Sequence, residues 1–135
     1  MLEACERYLP SNLCRWNIPT YGMFVWIRVS VANIIDLDME EHTETRSAWL
    51  RDIEDRIYLE SRTNGVLVSK GSWFAATPET ISTDISFRVT FAAAPENFLE
   101  EAIAVFARSV ERIFGRSNKQ APIMSDKCSR GMRCL

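Results

Sequence analysis

The sequence predicts an α/β domain in which helices cover a small sheet, mainly on one of its faces. Segments rich in β-branched and aromatic residues alternate along the chain with segments whose apolar residues recur at helical spacing. The chain has 135 residues, of which 47% are hydrophobic, and this suffices for one modest core but not for two independent domains. We therefore expect one domain over residues 1–115.

The first half of the chain predicts a helix, a strand, a loop and a second helix, in that order. Residues 1–9 place apolar side chains on one helical face, and Pro10 ends that helix. The β-branched and aromatic residues of segment 23–29 favour a central strand buried on most of both faces. Residues 30–46 are acidic and indicate a loop, and the helix that follows ends at residues 64–65, which are Asn-Gly.

The second half predicts two strands and a third helix. Residues 66–68 favour a short strand, and residues 70–83 indicate a loop. Residues 85–91 alternate apolar and polar side chains as a strand with one buried face does. A helix is predicted over residues 95–115, with a glycine at its end, and the polar segment 116–135 is expected to be a disordered tail.

Composition and charge exclude several classes of function. The net charge of −2 offers no basic surface for nucleic acid, and no apolar run reaches the roughly 20 residues that span a bilayer. We expect a cytoplasmic protein without a membrane partner. The four cysteines lack paired spacing and His42 is expected to be solvated, so no metal site is predicted. The charged residues of the second helix are expected to form its solvated face: Asp52, Glu54, Asp55, Arg56, Glu60 and Arg62.

Arg88 is the one charged residue on the strand predicted over residues 85–91. Strand alternation places Ser86, Arg88 and Thr90 on one face and the apolar residues on the other. A guanidinium presents paired planar donors that match a carboxylate, and a strand fixes their direction better than a loop does. The residues alone leave two interpretations open, namely a carboxylate-binding arginine and an exposed arginine of the sheet surface.

Three blocks of sequence, in the same order along the chain, resemble class I/II aminotransferases of the fungal aromatic and aminoadipate type. The blocks are Ile-Pro-Thr-Tyr-Gly-Met-Phe-Val-Trp-Ile at 18–27, Asn-Gly-Val-Leu-Val with Gly-Ser-Trp-Phe within 64–74, and Phe-Arg-Val-Thr-Phe-Ala-Ala-Ala-Pro-Glu at 87–96. The resemblance covers residues 1–114. It implies the C-terminal small domain of a fold type I enzyme, with a small, mainly antiparallel sheet covered by helices.

The resemblance also implies a reaction and a set of site residues. Enzymes of this family use pyridoxal 5'-phosphate to transfer an amino group between an amino acid, here aromatic or aminoadipate-like, and a 2-keto acid. Arg88 occupies the position of the arginine that grips the substrate α-carboxylate. Tyr21 and Gly22 fall at a turn near the active site and are expected to line the pocket. Trp73 and Phe74 are expected either to flank the substrate or to pack in the core.

Parts of the family's active site are missing from this sequence. The Schiff-base lysine, the aspartate at the cofactor ring and the phosphate-binding residues belong to a large domain that would precede Met1. Lys70 does not match the position of that lysine. We therefore expect no catalytic or cofactor-binding residue in this chain, and no transamination by the chain alone.

Two alternatives stay open on the sequence. In the first, the chain is a non-catalytic module that binds a carboxylate ligand or a protein partner. In the second, it is one part of an enzyme and associates with a separate large-domain polypeptide or with a second copy of itself. An association of this kind would use apolar faces left uncovered at Leu2, Cys5 and Leu9 and around Met23.

Overall fold

The computed structural model describes residues 1–32, 43–76, 84–90, 92 and 94–119. Helices and short strands follow one another through these ranges. In chain order they are α1 (Leu2–Tyr8), β1 (Cys14–Trp16), β2 (Phe24–Ser30), α2 (Thr43–Thr63), β3 (Ser69–Lys70), a 3-10 turn (Gly71–Phe74), β4 (Asp84–Thr90) and α3 (Glu96–Lys119).

The strands form one antiparallel sheet in the order β1-β2-β4-β3. The two long strands β2 and β4 lie at its centre, with Ile27 opposite Phe87 and Trp26 opposite Arg88. Residues opposite each other in an antiparallel pair share a face, so this register assigns every side chain of both strands to one face or the other. The predicted small antiparallel sheet is confirmed.

The helices cover the face of the sheet that we call the inner face, which carries the alternate apolar residues of β2 and β4. Phe87 on that face meets Phe106 of α3 edge to face, with ring centroids 5.2 Å apart. Ile53 and Ile57 of α2 are buried in the same core. The alternation of β4 thus supplies the sheet side of the core that the described residues form.

The opposite face, which we call the outer face, carries Phe24, Trp26, Arg28, Ser86 and Arg88. These side chains are exposed or half-buried. The expectation that segment 23–29 is buried on most of both faces is therefore wrong. The aromatic side chains of β2 lie on the outer face, and its valine and isoleucine side chains lie in the core.

Several boundaries differ from those expected from the sequence. The strand β1 was not predicted, because three residues are too few to show an alternation and its pairing with β2 decides its state. The short strand lies at Ser69–Lys70 instead of 66–68, and α2 begins at Thr43, inside the segment expected to be a loop.

The third helix also runs past its expected end. It continues through Gly115 to Lys119, because Gly115 does not take the left-handed conformation that ends a helix, whereas Gly65 does so with φ +86°. The first four residues of the expected tail are therefore helical, and residues 120–135 lie outside the described residues.

Two of the apolar positions expected to be uncovered are in fact buried. Cys5 and Leu9 pack in the core, where α1 lies against α3, and Leu2 is half-buried. Met23 is exposed, as expected. None of the helices within the described ranges combines the length and the apolar composition needed to cross a membrane.

Candidate functional site

Arg88 lies in the middle of β4 on the outer face of the sheet. It stands opposite Trp26 of β2 on one side and opposite Ser69 of β3 on the other. Neighbouring strands on both sides hold the backbone of Arg88, so the start and direction of its side chain are fixed by the sheet. The strand alternation predicted from the sequence placed this residue on the correct face.

The guanidinium of Arg88 lies between two aromatic rings. Its central carbon is 4.2 Å from the ring centre of Phe24 and 4.1 Å from that of Phe74. Phe74 in turn meets Trp26 edge to face, with ring centroids 5.6 Å apart. Rings attract a guanidinium through its flat faces, and each such contact contributes about 0.5–1 kcal/mol at an exposed site. The N–H donors of Arg88 make no hydrogen bond to another described residue.

The Arg88 side chain has no ion-pair partner within the part of the chain that the structure describes. The salt bridges there join other residues, for example Arg7 with Glu100 and Arg112 with Glu60. An exposed arginine of the sheet surface accounts for its location, but not for two rings that hold it while its donors have no partner among the described residues. This arrangement suits a site that binds a carboxylate.

The 3-10 turn that carries Phe74 is attached to α2 and to β4. The Ser72 N–H donates to Oε1 of Glu54 at 3.1 Å, and Nζ of Lys70 forms an ion pair with Asp55. Gly71 packs so closely on β4 that an added Cβ would lie 2.7 Å from the carbonyl oxygen of Ser86. These contacts place the turn beside Arg88.

Tyr21 and Gly22 precede the strand that supplies Phe24. Gly22 has φ +87°, a conformation that other residues rarely adopt, and this turn leads the chain into β2. Tyr21 is 92% exposed and makes no contact with Arg88 among the described hydrogen bonds and ring contacts. Tyr21 and Gly22 lie three and two residues before Phe24 in the sequence. A role for both in lining the pocket stays a prediction.

Trp73 and Phe74 are adjacent in sequence but pack in different places. Trp73 meets Tyr58 of α2, with ring centroids 5.6 Å apart, and its ring lies 5.3 Å from Nζ of Lys70. Phe74 contacts Arg88 and Trp26 instead. Of the two aromatic residues singled out in the sequence, Phe74 is the one that the structure brings to the arginine.

Lys70 does not fit as the lysine that would carry pyridoxal phosphate next to Arg88. It stands opposite Phe87 in the register, and so on the inner face, whereas Arg88 is on the outer face. Its amino group is paired with Asp55 and lies over the rings of Tyr58 and Trp73.

Sequence reasoning missed Phe24 and misjudged Glu54. Phe24 sits two residues before Trp26, a spacing that puts both on one face, but only the register with β4 shows that this face is that of Arg88. Glu54 was expected on the solvated face of α2, yet it is 4% exposed. Its spacing from Leu50 and Ile57, four residues before and three residues after, is the signal that could have revealed its position at the edge of the apolar stripe.

Other predicted features concern metals and the loops. No cluster of metal-ligating side chains occurs within the described residues. His42 and Phe91 lie outside the described residues. The expected solvated face of α2 includes Asp52 and Arg56, whose Oδ2 and Nη1 atoms form an ion pair at 3.9 Å.

The sequence is similar to that of several fungal aminotransferases. It is 41% identical over 91 residues to aminotransferase swnA of Arthroderma benhamiae, and 34% identical over 130 residues to aminotransferase swnA of Metarhizium robertsii. These alignments cover 67% and 85% of this chain, and 17% and 24% of the two relatives. An aromatic amino acid aminotransferase of Schizosaccharomyces pombe is 33% identical over 114 residues, which are 84% of this chain and 22% of the relative.

A solved structure has the same fold. The crystal structure of aminotransferase Aro8 from Candida albicans matches with a TM-score of 0.68 and 26% identity over 84% of this chain and 24% of that chain. No profile of a protein family matches the sequence. The chain spans about a quarter or less of the length of these relatives.

Proposed function

This chain is an aminotransferase-like domain, and we propose that within it Arg88 binds the carboxylate group of an amino acid substrate and of the corresponding 2-keto acid. The observation that carries the proposal is the guanidinium of Arg88 held between Phe24 and Phe74, with no ion-pair partner in the described part of the chain. A bidentate pair between guanidinium and carboxylate aligns the substrate as well as attracting it.

The side chain of the substrate is proposed to be aromatic or aminoadipate-like. Relatives of this chain are named aromatic amino acid aminotransferases, and Phe74, whose ring lies next to the guanidinium of Arg88, presents exposed aromatic surface. An aromatic substrate ring can pack on such surface at the same time as its carboxylate is bound.

The chemistry of amino transfer is proposed for the whole enzyme, where pyridoxal phosphate, when bound, would supply the electron-withdrawing group that the reaction needs. The role proposed for this chain is to bind and orient the substrate. The ion pair of Lys70 with Asp55 on the inner face supports that division of roles, because it keeps the amino group away from a substrate held at Arg88.

The proposal is tested by titrating the ¹⁵N-labelled chain with 3-phenylpropanoate and recording NMR spectra that include the Nε–H signal of Arg88. We expect Arg88→Met to weaken binding strongly and Arg88→Lys to weaken it less, because an ammonium keeps the positive charge but cannot form the bidentate pair. Hydrogen bonds to a charged group contribute roughly 1.5–3 kcal/mol, so the loss in Arg88→Met should be about tenfold to a hundredfold in affinity.

Two controls accompany this titration. Arg28→Met removes an exposed arginine from the same outer face and should leave the affinity unchanged. The alcohol 3-phenylpropan-1-ol keeps the ring but lacks the carboxylate, and should bind the wild-type chain no better than it binds Arg88→Met. Equal affinities of wild type and Arg88→Met for 3-phenylpropanoate would refute the role of Arg88.

A further inference from the structure

Two consecutive acidic residues of α2 hold the chain on either side of Gly71. Glu54 accepts the backbone N–H of Ser72 at 3.1 Å, and Asp55 pairs with the amino group of Lys70. Asp55 is exposed, as is usual for a surface ion pair, but Glu54 is 4% exposed. A buried carboxylate is costly unless hydrogen bonds compensate it, and the Ser72 N–H supplies such a bond.

The turn that follows is not fixed by burial of its own side chains. Ser72, Trp73 and Phe74 are all exposed, and the 3-10 turn has no buried residue. Its attachment therefore depends on specific contacts, which are those of its first two residues together with the ring contacts of Trp73 with Tyr58 and of Phe74 with Trp26. The Glu54 carboxylate provides one of them, and the packing of Gly71 on Ser86 of β4 provides another.

Phe74 lies two residues after Ser72, whose backbone N–H donates to Glu54. The turn closes around it through the Ala75 N–H, which donates to the carbonyl oxygen of Ser72 at 3.4 Å. The orientation of the peptide group at Ser72 therefore influences where the ring of Phe74 lies relative to the guanidinium of Arg88, which is 4.1 Å from it. Glu54 is thus linked to Arg88 without touching it.

We propose that Glu54 is a positioning residue whose carboxylate holds the 3-10 turn so that the ring of Phe74 stays on the guanidinium of Arg88. This inference rests on the carboxylate-binding role proposed for Arg88 and adds the residue on α2 that sets its affinity. Without the Glu54 bond, Arg88 keeps its charge but loses one of the two rings that orient its donors.

The test compares Glu54→Gln, whose amide oxygen still accepts a hydrogen bond, with Glu54→Leu, which has no acceptor. The first measurement needs no ligand: the rings of Phe24 and Phe74 close to the guanidinium are expected to shift the δ-protons of Arg88 upfield. We expect Glu54→Gln to keep this shift and Glu54→Leu to lose the part due to Phe74. The second measurement is the affinity for 3-phenylpropanoate, which should fall about two- to fivefold in Glu54→Leu, the size of a cation–π contact, and not in Glu54→Gln.

A third measurement uses the unmodified chain and does not depend on whether Glu54→Leu folds. The Ser72 amide belongs to an exposed residue, so exchange there that is slower than in an unstructured peptide of the same sequence is expected from the bond to Glu54. Unprotected exchange at Ser72, or an unchanged Arg88 shift in a folded Glu54→Leu, would overturn the inference. An Arg88→Met variant that binds 3-phenylpropanoate normally would instead overturn the proposed function. The chemical shift of Arg88 without ligand tests the role of Glu54 alone, so failure of that role can be distinguished from failure of the carboxylate-binding role of Arg88.

Discussion

The guanidinium carbon of Arg88 lies 4.1 Å from the ring centre of Phe74, although the two residues belong to different elements of the fold. Ser69 of β3 pairs directly with Arg88, and the chain then turns so that Phe74, five residues later, lies over the same arginine. The short edge strand β3 and the 3-10 turn after it therefore both contact Arg88, β3 through its backbone and the turn through its side chain.

We expect Phe74→Leu to weaken the binding of 3-phenylpropanoate about two- to fivefold, because leucine fills similar space but offers no ring to the guanidinium. The free energy of unfolding should change by less than roughly 1 kcal/mol, since the side chain is largely on the surface. NMR titration measures the first effect and urea unfolding the second. Phe98→Leu makes the same chemical change at an exposed position of α3 and should affect neither. An equal loss of affinity in both variants would show that the contact with Arg88 is irrelevant.

The sequence predicts much of this fold because its strongest patterns are long. The alternation along β4 and the helical stripe of α3 each run over enough residues to identify the element and its buried face. The three-residue strand β1 has no such pattern, and its state follows from pairing with β2. The end of α3 could not be read from Gly115, because a glycine stops a helix only when it adopts a left-handed conformation.

The candidate site is less accessible to sequence reasoning than the fold. Arg88 was identified from its own strand, but the residues that hold it come from other elements. Which ring of β2 meets Arg88 depends on the register between β2 and β4, and a shift of one residue would move every side chain to the other face. Glu54 looks like an ordinary helix surface charge until the turn at Ser72 is seen against it.

Gly71→Ala should destabilise the domain by roughly 1–3 kcal/mol, the usual cost of adding an atom to a tightly packed place. The added Cβ would lie 2.7 Å from the carbonyl oxygen of Ser86, which is backbone and cannot rotate away. Urea unfolding of the two proteins measures the difference. Ser86→Ala in the same chain removes the side-chain oxygen but not that carbonyl, so it should restore only part of the stability.

Gly115→Ala is the matched control for this change. Gly115 lies inside α3, where an added Cβ meets nothing within 4 Å, so alanine should raise stability by up to about 1 kcal/mol through its better helix propensity. Opposite signs for the two glycine substitutions are the expected result. Stabilisation by Gly71→Ala would show that the turn does not pack on β4 as described.

Phe106→Ala should cost about 3–5 kcal/mol, because it removes a fully buried ring from the centre of the core. Phe106 is the residue of α3 that meets Phe87 of β4, so its loss separates the helix layer from the sheet. Thermal or urea unfolding measures the change, with Phe98→Ala on the exposed side of the same helix as the control. Comparable losses in the two variants would contradict the placement of α3 on the inner face.

The buried thiols predict a loss of stability at alkaline pH. Burial raises the pKa of Cys5 from its ordinary value of 9.0 to about 11, and that of Cys14 to about 12. Above pH 9 the unfolded chain releases these protons while the folded chain keeps them, so stability falls as the pH rises toward those values. Together the two thiols should lower the free energy of unfolding by roughly 2–3 kcal/mol at pH 10 relative to pH 8.

Urea unfolding at pH 8 and pH 10 under reducing conditions measures this difference, and the double variant Cys5→Ala, Cys14→Ala separates the thiols from other titrating groups. Removing two core sulfur atoms lowers stability at both pH values, but the fall between them should shrink, because alanine has no proton to release. Both thiols lie where α1 and β1 contact the rest of the core, so their ionisation would bring charge into that contact. A pH dependence as steep in the double variant as in the wild type would mean that the two thiols ionise as readily in the folded chain as in the unfolded one.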